Sequence, residues 1–248
     1  MRHKISCVLI TKNEAKNIAR CLESVKWMDE IVVVDSESTD RTLEICKEFD
    51  CKIDRHEWMG FGKTKAYAVS LAENDWIFSI DGDEAMTPEL RKTIENLLQS
   101  DERKAGYYIK RRTYYLDRLI RFSGWNRDYP LRFFNRTFGT FNEKEVHESV
   151  RINEQKEHIE EFLLHYSYPN ISSHLQKIDR YSTLGAQQLY DKGKSVSFFS
   201  AILRGKMRFI KMYFLQCGIL DGPEGFILAL ISAFGVTMKY LKLWKMTS

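Results

Sequence analysis

The cysteine pattern of this 248-residue chain argues against two kinds of site. There are 5 cysteines, an odd number, and no two of them form a C-x-x-C pair. A zinc site or a disulfide framework would need paired spacing. We expect the five cysteines to be free thiols in the core of a protein that works in a reducing compartment.

Two common nucleotide-binding motifs are also absent. The segment Gly60 to Thr64 ends in G-K-T, but Glu57 stands where the first glycine of a P-loop belongs. No G-x-G-x-x-G sequence follows the first apolar run, so a dinucleotide cofactor is not expected. If the chain binds a nucleotide, it does so without a P-loop or a dinucleotide-binding glycine motif.

We expect no secretory signal peptide in the amino-terminal segment. The apolar run from Ile5 to Thr11 is short, and no cleavage site of small residues follows it. The sequence therefore predicts a cytoplasmic protein.

The composition supports a globular chain with an unequal charge distribution. Apolar residues make up 44% of the chain, which is enough for a substantial core. No proline-rich or glycine-rich linker is visible, so we predict one catalytic domain at residues 1–190 and a C-terminal appendage at residues 191–248. The net charge of +4 conceals a basic, apolar appendage on a mildly acidic body. Such an appendage suits an anionic membrane surface better than nucleic acid.

The first 112 residues alternate strand-like and helix-like patterns. Continuous apolar runs are typical of strands covered on both faces, and this alternation predicts an α/β fold with a mostly parallel sheet. The predicted strands are Ile5–Thr11, Glu30–Asp35, Cys51–Arg55 and Asp75–Asp81, and the predicted helices are Ala15–Val25, Arg41–Phe49 and Lys63–Ala72. Thr87 and Pro88 predict the start of a further helix, and residues 170–189 also have a helical pattern.

Polar clusters follow three of the predicted strands, at 11–14, 35–40 and 81–84. Ligands of parallel α/β sheets bind at the carboxyl ends of the strands, so these clusters are expected to meet in one site. Side chains alternate along extended backbone, which would place Asp81 and Asp83 on one face as ligands of Mg²⁺ or Mn²⁺. The alternatives are an acidic turn without a ligand and, for Thr11 and Glu14, a helix capping box.

The order of these motifs resembles the family 2 glycosyltransferases, which have the GT-A fold, a Rossmann-like sheet with flanking helices. Within that family the chain looks most like the lipopolysaccharide core β-1,4-glucosyltransferases that act on inner-core heptose. The segments that carry the resemblance are Val8–Glu14, Val33–Asp40, Trp58 with Gly60–Lys65, Asp81–Glu84, Asp128–Phe134, Val146–Glu148 and Gly218–Phe226.

The resemblance implies roles for residues of the donor site. Thr11, Glu14 and Asp35 would hold uridine. Asp81 would approach the ribose or diphosphate, and Asp83 would bind the metal. Further candidates are Lys63 and Lys65 as phosphate partners near a helix start, and His165 as a metal ligand. For the lysines the alternative is a solvated surface, and for His165 it is a packed core position.

Deprotonation of the acceptor hydroxyl needs a base across the cleft. Many family members place an E-D pair there, whereas this chain has His147 and Glu148. We expect Glu148 to act as the general base and His147 to contact or orient substrate. The alternative for Glu148 is a surface carboxylate among other acids.

Aromatic and arginine side chains in the middle of the chain suit a phosphorylated sugar acceptor. Rings pack on sugar faces, and guanidinium groups pair with phosphate in bidentate fashion. The candidates are Trp125, Arg127, Tyr129 and Arg132. The alternative is core aromatics with surface arginines.

The appendage contains an uncharged segment, Gly225 to Met238, that is shorter than the roughly 20 residues of a membrane span. Its basic flanks favour peripheral contact with the cytoplasmic face of the inner membrane, and a packed helix pair is the alternative.

Taken with the resemblance, these patterns predict an inverting, metal-dependent transfer of glucose from UDP-glucose to inner-core heptose. A polyprenyl-phosphate glycosyltransferase and a non-catalytic regulator that binds nucleotide-sugar or membrane are the alternatives.

Overall fold

The computed structural model describes residues 2–142 and 148–248. The chain divides into two compact units, which are described separately. The sheet unit contains residues 1–111 and 128–165, and the helical unit contains residues 112–127 and 166–248. The predicted domain boundary at residue 190 falls within the helical unit and stays a prediction.

Strands and helices alternate through the first part of the chain, and helices dominate its end. The strands are β1 (Ile5–Thr11), β2 (Glu30–Asp35), β3 (Lys52–Arg55), β4 (Trp76–Ser79), β5 (Glu84–Met86), β6 (Gly106–Tyr115), β7 (Arg118–Leu119), β8 (Leu131–Asn135), β9 (Gly139–Phe141), β10 (Val150–Ile152) and β11 (Lys156–Tyr168). The helices are α1 (Ile18–Val25), α2 (Thr42–Glu48), α3 (Phe61–Leu71), α4 (Pro88–Gln99), α5 (Ile171–Asp191), α6 (Phe198–Ile210) and α7 (Gly222–Thr247).

The main sheet has the order β3-β2-β1-β4-β8-β6-β11-β5. Its first four strands run parallel, and β8 continues the sheet antiparallel to β4 and β6. The parallel register places Thr11 beside Asp35 at the carboxyl ends of β1 and β2. The predicted α/β class is confirmed, and the polar residues at the ends of β1 and β2 lie at the same edge of the sheet.

The core lies on both faces of this sheet. Cys7 and Leu9 of β1 pack in a cluster with α1 and α4, while Val8 and Ile10 pack in a second cluster with α3. This alternation explains why β1 and β2 are continuously apolar, because both faces of these strands are covered.

Helix α1 begins three residues later than the sequence predicts. Asn17 precedes its first residue, and the carbonyl oxygen of Glu14 accepts hydrogen bonds from the backbone nitrogens of Asn17 and Ile18. Thr11 and Glu14 therefore do not form a capping box. By contrast, α4 begins as predicted, because Thr87 Oγ1 accepts from Leu90 N at 3.2 Å and Pro88 is the first helical residue.

In the helical unit, α7 packs against both α5 and α6. Gly235 lies against Ile178 of α5, and Gly205 of α6 lies against Thr237. Within the described residues, one helical stretch, Gly218–Thr247, is long and apolar enough to cross a membrane by length and composition. This helical stretch is longer than the uncharged segment Gly225 to Met238 from which the sequence predicted a segment too short to span a membrane.

Candidate active site

The carboxyl ends of β1 and β2 contain buried polar atoms that lack a partner. Thr11 Oγ1, Asp35 Oδ1 and Ser36 Oγ make no hydrogen bond in the described part of the chain. Asp35 is fully buried, and its other oxygen accepts from Ser38 N at 2.9 Å. Leaving such atoms without partners costs about 1–3 kcal/mol each, so a ligand that supplies donors and acceptors would stabilise this edge.

Hydrogen bonds lock the two loops at this edge to each other. Asn13 adopts a positive φ of 56°, and its side-chain oxygen accepts from Thr39 N at 2.8 Å. Its own backbone nitrogen donates to Ser38 Oγ at 2.9 Å, and Glu14 N donates to Thr42 Oγ1 at 2.8 Å. The loops after β1 and β2 therefore form one preorganised wall.

The D-G-D turn approaches this wall at Gly82. A Cβ added to Gly82 would lie 3.3 Å from Glu14 Cγ, so the missing side chain allows the turn to pass Glu14 closely. The structure thus brings the three predicted polar clusters together at one edge of the sheet.

Asp81 is held between two basic side chains. Lys65 Nζ lies 2.8 Å from its Oδ1, and Arg132 donates to its Oδ2. Burial alone would raise the pKa of Asp81, but the charges of Arg132 and Lys65 hold that pKa well below its usual range. Asp81 is therefore a carboxylate, and both of its oxygens are engaged by cations.

Asp83 has a different partner. Its Oδ2 lies 3.4 Å from Nε2 of His165, which belongs to β11. The prediction that Asp81 and Asp83 share one face assumed extended backbone, but β4 ends at Ser79 and a turn follows, with Glu84 N donating to Asp81 O at 2.9 Å. Alternation applies only to extended backbone.

Asp83 and His165 form the donor pair that fits a divalent cation. A carboxylate oxygen and an imidazole nitrogen are both metal ligands, and two protein donors leave positions for phosphate oxygens. Among the described residues, no group of three or more His, Cys, Asp or Glu side chains converges as a metal site. The metal roles of Asp81, Asp83 and His165 stay predictions.

Glu84 is a functional candidate that the sequence reasoning missed. Its side chain is fully buried, and Oε1 accepts from Arg132 at 2.6 Å and from Arg111 at 3.1 Å. Oε2 accepts from Asp81 N at 3.0 Å. Burial alone would lower the pKa of Arg132, but Asp81 and Glu84 raise it. Glu84 thereby holds both the turn at Asp81 and the side chain of Arg132. The sequence signal that could have identified Glu84 is its place among the acids that follow β4.

Lys65 also joins the predicted base to the site. Its Nζ lies 2.8 Å from Glu148 Oε1, and the lysine is almost fully buried on α3. Lys63 is exposed on the same helix, and its role as a phosphate partner stays a prediction. His147 lies outside the described residues, and its role stays a prediction.

The predicted acceptor residues fall into different surroundings. Tyr129 is 41% exposed and packs edge-on against His158 in the sheet unit. Arg132 is only 3% exposed, and its guanidinium group pairs with the carboxylates of Asp81 and Glu84. Trp125 and Arg127 belong to the helical unit, where Trp125 contacts the ring of Tyr115.

Comparison with known proteins decides the family. The model of the family described as "Glycosyl transferase family 2" matches residues 6–159, more than half of the chain. The chain belongs to glycosyl transferase family 2. The matched range contains the whole cluster around Asp81 and Lys65, together with Asp35 and Glu148.

Relatives match this family 2 glycosyltransferase along nearly its full length. An uncharacterized glycosyltransferase of Rickettsia felis is 34% identical over 97% of this chain and 89% of its own length. The lipopolysaccharide core biosynthesis glycosyltransferase LpsC of Rhizobium meliloti is 27% identical over 97% of this chain and 92% of its own length.

A solved structure supports the fold of this family 2 glycosyltransferase. Staphylococcus aureus TarS is similar with a TM-score of 0.50 and 15% identity, over 98% of this chain and 54% of the TarS chain. At that identity the similarity concerns the fold alone, and it agrees with the sheet and flanking helices described above.

Proposed function

We propose that this glycosyltransferase transfers glucose from UDP-glucose to the heptose of a lipopolysaccharide inner core, with inversion at the anomeric carbon. The observation that carries the acceptor class is the similarity to LpsC across 97% of the chain. The choice of glucose and heptose follows the resemblance of the sequence motifs to the core glucosyltransferases.

The uridine end of the donor is assigned to the edge of β1 and β2. Asp35 Oδ1 would accept from a base N–H, and the hydroxyls of Thr11 and Ser36 would bond to ring or ribose oxygens. All three atoms are buried and lack partners in the described structure, so nucleotide binding would remove their desolvation cost. Glu14, beside the D-G-D turn, completes this side.

Lys65 and Arg132 are assigned to the diphosphate end. Both are buried cations already aimed at Asp81, and buried positive charge stabilises the negative charge that develops on a departing diphosphate. Asp83 and His165 would hold Mg²⁺ or Mn²⁺, which supplies further positive charge to the leaving phosphate oxygens when bound.

Glu148 is proposed as the general base that takes the proton of the acceptor hydroxyl. Its carboxylate lies beside Lys65, and a base at that position would be next to the group that contacts the diphosphate. In the proposed step the acceptor hydroxyl oxygen bonds to the anomeric carbon, the bond from that carbon to the diphosphate oxygen breaks, and the hydroxyl proton passes to Glu148. UDP leaves with the bonding electron pair.

The place of the reaction follows from the acceptor. A lipid-A-linked oligosaccharide is anchored in a membrane, so the enzyme is proposed to work as a cytoplasmic protein bound peripherally to the inner membrane. The basic residues of the C-terminal segment fit an anionic surface.

The decisive experiment measures UDP release by the purified full-length chain. Acceptor lipopolysaccharide ending in inner-core heptose is offered with UDP-glucose, UDP-galactose or UDP-N-acetylglucosamine, with Mg²⁺, Mn²⁺ or EDTA. We expect turnover with UDP-glucose and a divalent cation. Asp83→Ala and Glu148→Gln should each lower kcat by about a hundredfold or more.

A matched control separates chemistry from general damage. Lys92→Met removes an exposed lysine of α4, which is not among the candidate site residues, and should leave kcat within about twofold, whereas Lys65→Met should not. Turnover with another UDP-sugar would overturn the donor assignment. Transfer to polyprenyl phosphate instead of lipopolysaccharide would overturn the acceptor assignment, and UDP binding without any turnover would favour a regulator.

A further inference from the structure

An exposed apolar strip runs along α6. Phe199, Leu203 and Met207 are spaced four residues apart and therefore lie on one face of the helix. Their exposed fractions are 82%, 57% and 52%. Contiguous large apolar side chains at such exposure indicate a surface that another apolar phase covers. We call these three residues the α6 strip.

The strip is not the packing face of the helix. Ala201 and Gly205 are the buried residues of α6, and they lie on the opposite side of the helical wheel. A Cβ added to Gly205 would lie 1.8 Å from Thr237 Oγ1, so this side is closed tightly on α7. Helix α6 is thus apolar on two sides, and only one of them is used within the helical unit.

Basic residues border the strip. Arg204, Lys206 and Lys211 are all exposed. The two acids of residues 192–248 are both engaged elsewhere. Asp221 is buried and accepts from Ser123 Oγ at 2.9 Å and from neighbouring backbone nitrogens, and Glu224 pairs with Arg118 at 3.4 Å.

We propose that the α6 strip is a membrane-docking surface, which enters the headgroup region of an anionic phospholipid bilayer with α6 lying in the plane of the interface. Exposed apolar side chains with a basic border are the pattern of interfacial helices. The proposal deepens the proposed function and rests on it in one respect, since a lipid-linked acceptor gives the docking its purpose.

Helix α7 is not assigned this role. Lys242 of α7 donates to Asp179 Oδ1 at 2.7 Å and to Ser182 Oγ at 2.9 Å, both on α5, while Thr237 packs on α6. A helix held by protein on two sides serves as the central support of the unit. Its exposed apolar side chains, Phe226, Leu230 and Phe234, are 43%, 50% and 50% exposed, which is less than each of the three residues of the α6 strip.

A second copy of the chain fits the strip less well. A symmetric contact through the strip would bring Arg204, Lys206 and Lys211 of both copies together. No exposed acid of residues 192–248 is available to neutralise them, and like charges at close range repel. An anionic lipid surface meets the same residues with opposite charge.

The test is co-sedimentation of the full-length protein with vesicles that contain neither acceptor nor donor. Vesicles of phosphatidylcholine alone are compared with vesicles containing about 30% phosphatidylglycerol. We expect binding to the anionic vesicles that weakens as NaCl is raised from about 0.1 M to about 1 M. Phe199→Ser/Leu203→Ser should lower the partition coefficient by about tenfold or more.

A matched control removes exposed apolar side chains from another helix of the same unit. Leu175→Ser/Leu184→Ser on α5 changes residues of 43% and 39% exposure and should leave vesicle binding unchanged. Lys206→Gln and Lys211→Gln test the basic border, and each should weaken binding by about fivefold. Circular dichroism melts of all variants verify that the fold is retained.

Three results would overturn the proposal. They are no binding of the wild-type chain to anionic vesicles, equal binding by the Phe199→Ser/Leu203→Ser variant, and a dimer in sedimentation that this variant converts to a monomer. The last would make the strip an interface between copies. Transfer assayed on a detergent-solubilised acceptor reports separately on the proposed function, because it does not require vesicle docking.

Discussion

Glu84 shows how one buried side chain can organise the site. It is the shared acceptor of Arg111 and Arg132, and it also binds the backbone of Asp81. Glu84→Gln removes a charge that both arginines face and leaves the buried Arg132 and the half-buried Arg111 beside an amide. Because breaking a buried ion pair costs about 3–5 kcal/mol, we expect a loss of this order in the free energy of unfolding, measured by urea denaturation.

An exposed pair provides the matched control for this prediction. Glu95 pairs with Arg91 at 3.0 Å on the surface of α4, so Glu95→Gln should cost less than about 1 kcal/mol. A positioning role in the site also predicts that Glu84→Gln raises the KM for the donor while Glu95→Gln leaves it unchanged. Equal losses of stability in the two variants would contradict the assignment.

The residue scale also shows the limits of sequence reasoning. Asp35 and Lys65 were predicted as site residues because each belongs to a recognisable strand-end or loop motif, and the structure places Asp35 at the carboxyl end of β2 and Lys65 beside Asp81. Glu84 was missed because its importance comes from Arg111 and Arg132, which are distant in sequence. Pairings across such separations are set by tertiary packing, and local pattern does not contain them.

At the scale of elements, the α6 to α7 contact depends on a glycine. Gly205→Ala would normally stabilise a helix by up to about 1 kcal/mol. Here the new methyl would meet Thr237 Oγ1 at 1.8 Å and the carbonyl oxygen of Ala233 at 2.9 Å. We expect the clash to win and the free energy of unfolding to fall by about 2 kcal/mol, in line with other overpacked cores. Thermal and urea denaturation measure the change.

Gly185 provides the comparison for this prediction. A Cβ there would meet only Lys239, at 2.9 Å from Cδ of a flexible side chain. Gly185→Ala should therefore be neutral or stabilising by up to about 1 kcal/mol. Adding Thr237→Ala to Gly205→Ala should recover part of the loss. If Gly205→Ala proved as stable as Gly185→Ala, the close approach of α6 and α7 would be refuted.

Elements differ in how well their sequences predicted them. The bounds of β1 and β2 were predicted correctly, because strands buried on both faces are continuous apolar runs between polar residues. The start of α1 was predicted three residues early, because Glu14 and its neighbours form the loop that bonds to the loop after β2. Those bonds are non-local, and helical spacing gives no sign of them.

At the scale of the whole molecule, each unit contains a group whose lowered pKa predicts a loss of stability in acid, and the two pH ranges differ. In the helical unit, burial first and then Lys177 lower the pKa of His174 from 6.5 to about 4. Its Nδ1 lies 2.9 Å from the hydroxyl of Tyr115. In the sheet unit, Asp81 has a pKa held well below its ordinary 3.8. Both groups have lowered pKa values in the folded state, so both stabilise less as pH falls.

The stabilising contributions of His174 and Asp81 are lost in different pH ranges. The contribution of His174 is complete above its unfolded pKa of 6.5 and is lost as pH falls towards about 4. That of Asp81 is complete above 3.8 and is lost only below it. Between about pH 7 and pH 5 the wild type should lose roughly 2 kcal/mol of unfolding free energy through His174.

The measurement is urea denaturation at both pH values. His174→Gln should show a smaller loss between them, because the unfolded variant no longer gains that proton. Asp81→Asn, in contrast, should retain the wild-type loss, whatever its absolute stability. A His174→Gln variant with the full loss would place the titrating group elsewhere. In that case the loss of unfolding free energy between about pH 7 and pH 5 would not come from the protonation of His174, and another titrating group would have to cause it.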